Sequence, residues 1–372
     1  MNNAHPYTPR LRGTIAAVCA GLFACFSQAP LAKPPQPSYS LTPFVQLPAT
    51  PGFYEGVAIH GNTVFVSGPA RFGTAGTGAS AIELYNRKTQ KPLGRISIAG
   101  EALDQEHALT NVATDCDGGV YVLTTQLGLL HFMKHGKSYM QHSYGDPLPD
   151  LPTCATGVSG ACAPTTPADV NLTPLVNDLA FDAQGRAYVT DSLQATIFRY
   201  PVGGGAPEVW FQSATLQGGG PIPFGPNGIR IDPKGEHVYF ATTTSLANPA
   251  LGTVYRLPLK DGNTDSDLEV VHEYNQGEGP DQLAFGAKGD LYVTLALANQ
   301  VSILKTDGSE VRFASKPTDA IPLDNPAALA FDPKSKSLLV LNHALLGGDP
   351  AHFALLRADV RDAGQPLVEP CD

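Results

Sequence analysis

Four oxygen-bearing side chains recur at one phase of a repeated phrase: Glu55, Asn177, Asn227 and Asp281. Each stands three residues before the Ala or Arg of a short apolar run, namely Ala58, Ala180, Arg230 and Ala284. Thr110 and Ala327 hold the same phase in two further copies. Two carboxylates and two amides brought round one axis would make a hard, oxygen-only site. That donor set suits Ca²⁺ or another hard divalent cation, and its two negative charges match one. Neither His nor Cys stands at this phase, which argues against zinc or copper. The alternative is that Asn and Asp are here only as turn formers that cap backbone amides. That explains any single position, but Glu is poor at turns, and four such residues at one phase favour the ion.

The elements that must position these residues follow from the phrase itself. Glu55-Gly-Val-Ala-Ile-His runs into Thr63-Val-Phe-Val-Ser, and Asn177-Asp-Leu-Ala-Phe-Asp runs into Arg186-Ala-Tyr-Val-Thr. Related pairs of runs begin near Asn111, Asn227, Asp281 and Ala327, giving six copies at intervals of roughly 50 residues, the period of a propeller blade. Two further strand-like runs follow in most units, for example Thr253-Val-Tyr-Arg-Leu and Leu268-Glu-Val-Val-His after the fourth. Six units of four strands predict an all-β, six-bladed β-propeller around a central channel. The sixth unit is one outer strand short, and residues 43–47 precede the first unit and can supply it, which would remove a free sheet edge. The second unit carries a long insertion at about residues 141–175, expected to act as a lid or to be disordered.

Composition agrees with this architecture. Charged residues are 16% of the 372, while 38 Gly and 33 Pro suit many short strands and turns. The formal net charge is −10 and no basic cluster interrupts it, so nucleic acid is not an expected partner. Residues 1–32 read as a secretory signal: Arg10 and Arg12 precede an apolar stretch from Gly13 to Cys25 that is too short to span a bilayer. Ala29 and Ala32 are the candidate cleavage points. A lipid on Cys25 and a buried N-terminal helix are the alternatives. Residues 33–42 form a stiff Pro-rich linker, and residues 43–372 the propeller. The expected location is therefore periplasmic or extracellular, with no transmembrane segment. Four cysteines remain after the signal, Cys116, Cys154, Cys162 and Cys371, and an oxidising compartment permits disulfides. Cys154 and Cys162 flank a short loop and are expected to pair; Cys116 with Cys371 is the remaining option, and free buried thiols the alternative.

Other residues fall at the rim where the ring would lie. His107 precedes the second inner strand, His343 follows the second strand of the sixth unit, and Asp191 closes the second strand of the third. All three are candidates for contact with substrate, against the plainer reading of solvated loop residues. Asp178 is expected to anchor neighbouring backbone, and Trp210 to pack on an outer strand. Asn171-Leu-Thr is a glycosylation sequon that matters only in a eukaryotic secretory pathway.

Taken with Glu55-Gly, Val176-Asn-Asp178, Pro226-Asn-Gly228 and Pro280-Asp281, the chain resembles the SMP-30/gluconolactonase-like family, and more distantly the paraoxonases, over about residues 45–360. The resemblance implies a divalent metal, usually calcium, on Glu55, Asn177, Asn227 and Asp281. It also implies lactone hydrolysis, with Asp281 as general base. The sequence departs from the pattern in places. Gln282 replaces a Gly, Leu175 stands where sugar-lactone enzymes carry Arg, and Thr110 and Leu295-Ala296 stand where paraoxonases carry His.

The expected function is a calcium-dependent hydrolase of a small lactone or ester. A non-catalytic binding propeller with a structural metal, and a propeller enzyme of another reaction class, are the competing readings. The signal has its own test: the exported protein should have an intact mass corresponding to a start at Pro30 or Lys33. A mass retaining residues 1–29 overturns that reading.

Overall fold

The apolar runs become strands because each is buried on both faces, between its two neighbouring blades. The computed structural model describes residues 39–152, 162, 174–220, 223–246 and 251–371. Residues 1–32, expected to be a signal, Cys154 and the Asn171 sequon lie outside them. Six four-stranded antiparallel sheets succeed one another along the chain. Their inner strands are Gly56–His60, Leu109–Thr114, Val176–Phe181, Pro226–Ile231, Pro280–Phe285 and Pro326–Asp332. Each inner strand contacts the next, and the sixth contacts the first, so the sheets are the blades of a closed six-bladed β-propeller. No helix among the described residues is long and apolar enough to cross a membrane.

Closure is made by the strand Leu41–Gln46, which pairs antiparallel with Ala354–Ala358 as the outer strand of the sixth blade. It starts two residues before the expected one. Six apolar clusters fill the six gaps between blades. The gap at the closure holds Phe44, Tyr54, Val66, Leu341, Phe353 and Leu355, from both ends of the chain. Second strands such as Val64-Phe65-Val66 are wholly buried because both faces meet a neighbouring sheet. That is why the sequence gives continuous apolar runs and not alternation. Trp210 packs edge-on against Tyr188, as a packing residue should. The second blade's outer strand reaches Gly145, so the first residues of the expected insertion are sheet.

The C-terminal segment crosses the channel mouth at the far end of the inner strands. In most blades an Asp caps the turn that follows the inner strand: Asp182, for instance, accepts from the N–H groups of Gln184 (3.0 Å) and Arg186 (2.9 Å). The fifth blade has Gly286 there, and Asp362 of the tail supplies the carboxylate, accepting from Ala287 N at 2.7 Å. Gln365 N donates to Phe285 O at 2.8 Å. Glu369 accepts from Thr114 Oγ1 at 2.6 Å and meets His60 Nδ1 at 3.0 Å. A disulfide then joins Cys116 to Cys371. Cys162 is also disulfide-bonded. Cavities of about 210 and 450 Å³ flank the tail, both bounded by Val57, Arg230, Phe285, Pro366 and Leu367.

The Cys116–Cys371 bridge closes a loop of 255 residues, and cross-links of this kind contribute about 2–4 kcal/mol. A Cys116→Ser/Cys371→Ser variant should therefore melt several degrees lower in differential scanning calorimetry. An unchanged Tm would mean that Asp362, Gln365 and Glu369 hold the tail unaided.

Candidate metal centre and active site

The ring residues are set by an irregularity that five blades share. In the second to sixth blades the pairing of the inner with the second strand slips beside the ring position, between Leu109 and Val112, Val176 and Leu179, Pro226 and Ile229, Pro280 and Leu283, and Pro326 and Ala328. Such a bulge frees residues from the ladder and re-aims their side chains. Hydroxyls on the second strands fix the freed backbone of the following blade. Ser67 Oγ donates to Thr110 O (2.5 Å) and Thr190 Oγ1 to Asn227 O (2.6 Å). Gly56 and Gly228 permit the close approach: a Cβ on Gly56 would lie 2.7 Å from Thr110 O, and one on Gly228 2.5 Å from Gln282 Cα.

Glu55, Thr110, Asn177, Asn227, Asp281 and Ala327 are all buried where these segments converge. Burial, then the nearby charges of Glu55 and Asp178, hold the Asp281 carboxyl well above the usual carboxylate range, while Asn227 pulls the other way. Two buried acids whose charges act on one another are costly without a cation. Asn227 Nδ2 donates to Thr243 Oγ1 at 2.7 Å, which leaves Asn227 Oδ1 buried without a partner. Thr110 Oγ1 is likewise buried and unpartnered. Orphaned hard oxygens beside two carboxylates fit a divalent cation of the calcium type. Glu55, Asn177, Asn227 and Asp281 would hold it.

His343 joins this ring from the sixth blade, pairing through Nδ1 with Glu55 Oε2. Its Nε2 is buried with no hydrogen-bond partner. It is held by its backbone, since His343 N donates to Asn325 O at 3.0 Å. The other two rim candidates are used by their own loops. His107 meets the carbonyls of Gln105 (3.0 Å) and Gly78 (3.1 Å), so both ring nitrogens are occupied. Asp191 accepts from the N–H groups of Leu175, Leu193 and Gln194 and from Gln194 Nε2. Both are fully buried staples at the rim, and sequence cannot tell a staple from a ligand when the residue type suits either.

In the second, third and fifth blades the residue after the ring position ties blades together. Asp178 accepts from Leu179 N (2.7 Å), from Ile229 N (2.8 Å), from Arg230 Nη1 (2.7 Å) and from Asn111 Nδ2, which joins three blades. Gln282, the departure from the family's Gly, does the same work, accepting from Leu329 N at 2.7 Å. A second group, Asp232, Glu236 and His237, has carboxylate and imidazole atoms close enough for an ion. It lies in the turn at the other end of an inner strand, where Asp232 already accepts from Glu236 N at 2.8 Å, and it is a turn cap.

Sequence reading did not single out Phe53 and Arg71. Phe53 has φ +45°, a costly conformation for an aromatic residue, and its ring stands edge-on to His343 at 6.2 Å. The Arg71 guanidinium lies over the Phe53 ring, 4.5 Å from its centroid. The Pro51-Gly52 pair ahead of Phe53 marks a turn, which is the one signal the sequence offers.

The model of the SMP-30/Gluconolactonase/LRE-like region matches residues 103–343, and the chain belongs to this family. Solved structures share the fold at low identity. A calcium-binding protein, regucalcin, from Agrobacterium tumefaciens is 14% identical, with TM-score 0.59, over 89% of this chain and 97% of that one. A gluconolactonase from Xanthomonas campestris is 13% identical, with TM-score 0.52, over 86% and 89%. Virginiamycin B lyase from Staphylococcus aureus is 14% identical, with TM-score 0.53, over 86% and 99%. No curated protein matches the chain significantly.

The ring makes its own prediction. In chelator, Asp281→Asn should be at least as stable as the parent, because it removes a buried charge. Calcium at a hundredfold excess over its Kd should stabilise the parent by about 2.7 kcal/mol and the variant much less. Thermal melts with and without calcium check this; a parent Tm indifferent to calcium overturns the site.

Proposed function

We propose that the protein is an exported, calcium-dependent hydrolase of a lactone or related ester. The observation that carries this is the burial of Glu55 and Asp281, near enough for the charge of one to raise the other, with the orphaned Asn227 oxygen in the same ring. Membership of the gluconolactonase-like family supports the reaction class. The N-terminal signal pattern and the two disulfide-bonded sites support export.

Bound calcium would supply a Lewis acid for the acyl oxygen. The protein's own groups do the rest. Asp281 takes the proton of the attacking water, whose oxygen adds to the acyl carbon. The acyl–oxygen bond of the ring then breaks, and the released oxygen takes a proton to give a hydroxy acid. His343 Nε2, buried and free, is placed to hydrogen-bond substrate or leaving oxygen, with its other nitrogen fixed on Glu55. The tail across the far mouth leaves the ring end as the route for substrate.

A binding propeller with a structural cation is the second reading, favoured by Leu175 in place of the Arg of sugar-lactone enzymes and by Thr110 in place of the His of paraoxonases. Hydrolysis of aliphatic, aromatic and sugar lactones, with calcium and with chelator, separates the two. The hydrolase reading expects turnover that chelation abolishes, that Asp281→Asn lowers by at least about a hundredfold and that His343→Ala lowers less. Absence of turnover across the panel, with calcium still raising Tm, would make the protein a binding propeller.

A further inference from the structure

We propose that Arg71 is an anion-reading residue at the mouth of the acidic ring, and that the substrate carries a carboxylate beside its reacting acyl group. The reacting group rests on the hydrolase reading above; the anion site does not.

Arg71 differs from most arginines of the protein in its partners. Arg87, Arg95, Arg186, Arg230, Arg256 and Arg312 each pair with an acid. Arg71 has no acid partner among the described residues, and its Nε is buried without a hydrogen-bond partner. The acid that meets its loop is already used. Glu106 accepts from Gly73 N (2.8 Å), Thr74 N (3.1 Å) and Thr74 Oγ1 (3.2 Å). Arg357 also lies over a ring, that of Phe44, but on the outer half of the sixth blade. Location separates the two.

The Arg71 loop is stitched between the entries of the first two blades. Ala70 N donates to Phe53 O, and Leu109 N donates to Pro69 O, each at 2.9 Å. Phe53 lies two residues before Glu55 and Leu109 one before Thr110, so the loop borders the ring on that side. Phe53, with its strained backbone, lies under the guanidinium and stands edge-on to His343. Arg71, Phe53, His343 and Glu55 thus form one continuous line. A guanidinium whose face rests on an aromatic ring keeps its in-plane N–H groups for a planar, two-oxygen acceptor. One cation matches a monoanion such as carboxylate. A dianionic phosphate would be left half-neutralised.

The test uses the calcium-loaded protein and two lactams that mimic a five-membered lactone, pyroglutamate and its neutral carboxamide, with binding measured by calorimetry. The parent should bind pyroglutamate more tightly by about tenfold or more, the worth of one charge-assisted hydrogen bond. Arg71→Met should remove that preference while leaving carboxamide binding unchanged, and Arg71→Lys should keep part of it. Arg71 makes no ion pair among the described residues, so Tm and circular dichroism of the variants should match the parent. The absence of a preference in the parent, or its persistence in Arg71→Met, overturns the proposal. Turnover of γ-butyrolactone and of its 5-carboxylate, run in parallel, keeps the two readings apart. An Arg71-dependent binding preference with neither lactone hydrolysed sinks the hydrolase and leaves the anion site. Equal hydrolysis of both lactones, with no binding preference, does the reverse.

Discussion

Pairing of Leu41–Gln46 with Ala354–Ala358 closes the sheet ring, and the rest of the structure depends on that closure. An open array of six blades would leave two apolar faces and two edges unpaired. Closed, it brings equivalent positions of every blade to one axis. Glu55 of the first blade and Asp281 of the fifth are distant in sequence, and their charges act on one another only because the ring of blades closes round one channel. His343 reaches Glu55 across that same seam. The seam is also where both chain ends contribute core, through Phe44 and Phe353, so stability and the site share one set of contacts.

Charge is distributed along the channel in a definite order. At one mouth stand Glu55 and Asp281 with unpartnered oxygens around them. One residue deeper, Asp178 is matched by Arg230, the single large residue at a phase otherwise held by alanine. Desolvation raises the Asp178 carboxyl, against the pull of Arg230 and of its hydrogen bonds. A paired buried charge of this kind needs no further ion. Among the described residues the ring pair meets no arginine or lysine, only the His343 imidazole on Glu55, which is the physical difference between it and the Asp178 pair. Arg71 adds a positive charge outside the ring, where an incoming anion would meet it first.

The two ends of the channel are built for different tasks. The ring end is shaped by bulges and by loops whose polar groups are partly unsatisfied. The other end is shaped by satisfied turns, with the tail pinned across it. The exchange of Asp for Gly286, repaired by Asp362 from the tail, shows how closely that end is fitted. The alanine phase beneath the ring leaves space that the tail covers and does not fill.

The sequence by itself determined the repeat, the blade number, the closing strand and the phase of the ring. These follow from local pattern, since apolar runs and turn residues recur with a fixed period. It placed Asp178 correctly as an anchor, because an acid next to a bulge has backbone amides at hand. His107 and Asp191 were legible as polar rim residues, but their partners were not. Whether a side chain faces the channel or its own loop depends on rotamer and backbone direction, which periodicity does not encode. Tertiary structure alone decided that His343 meets Glu55, that Phe53 supports Arg71 and that Asp362 stands in for a missing cap. Each joins segments whose separation in the chain has no bearing on their separation in space, because ring closure and loop packing set that distance.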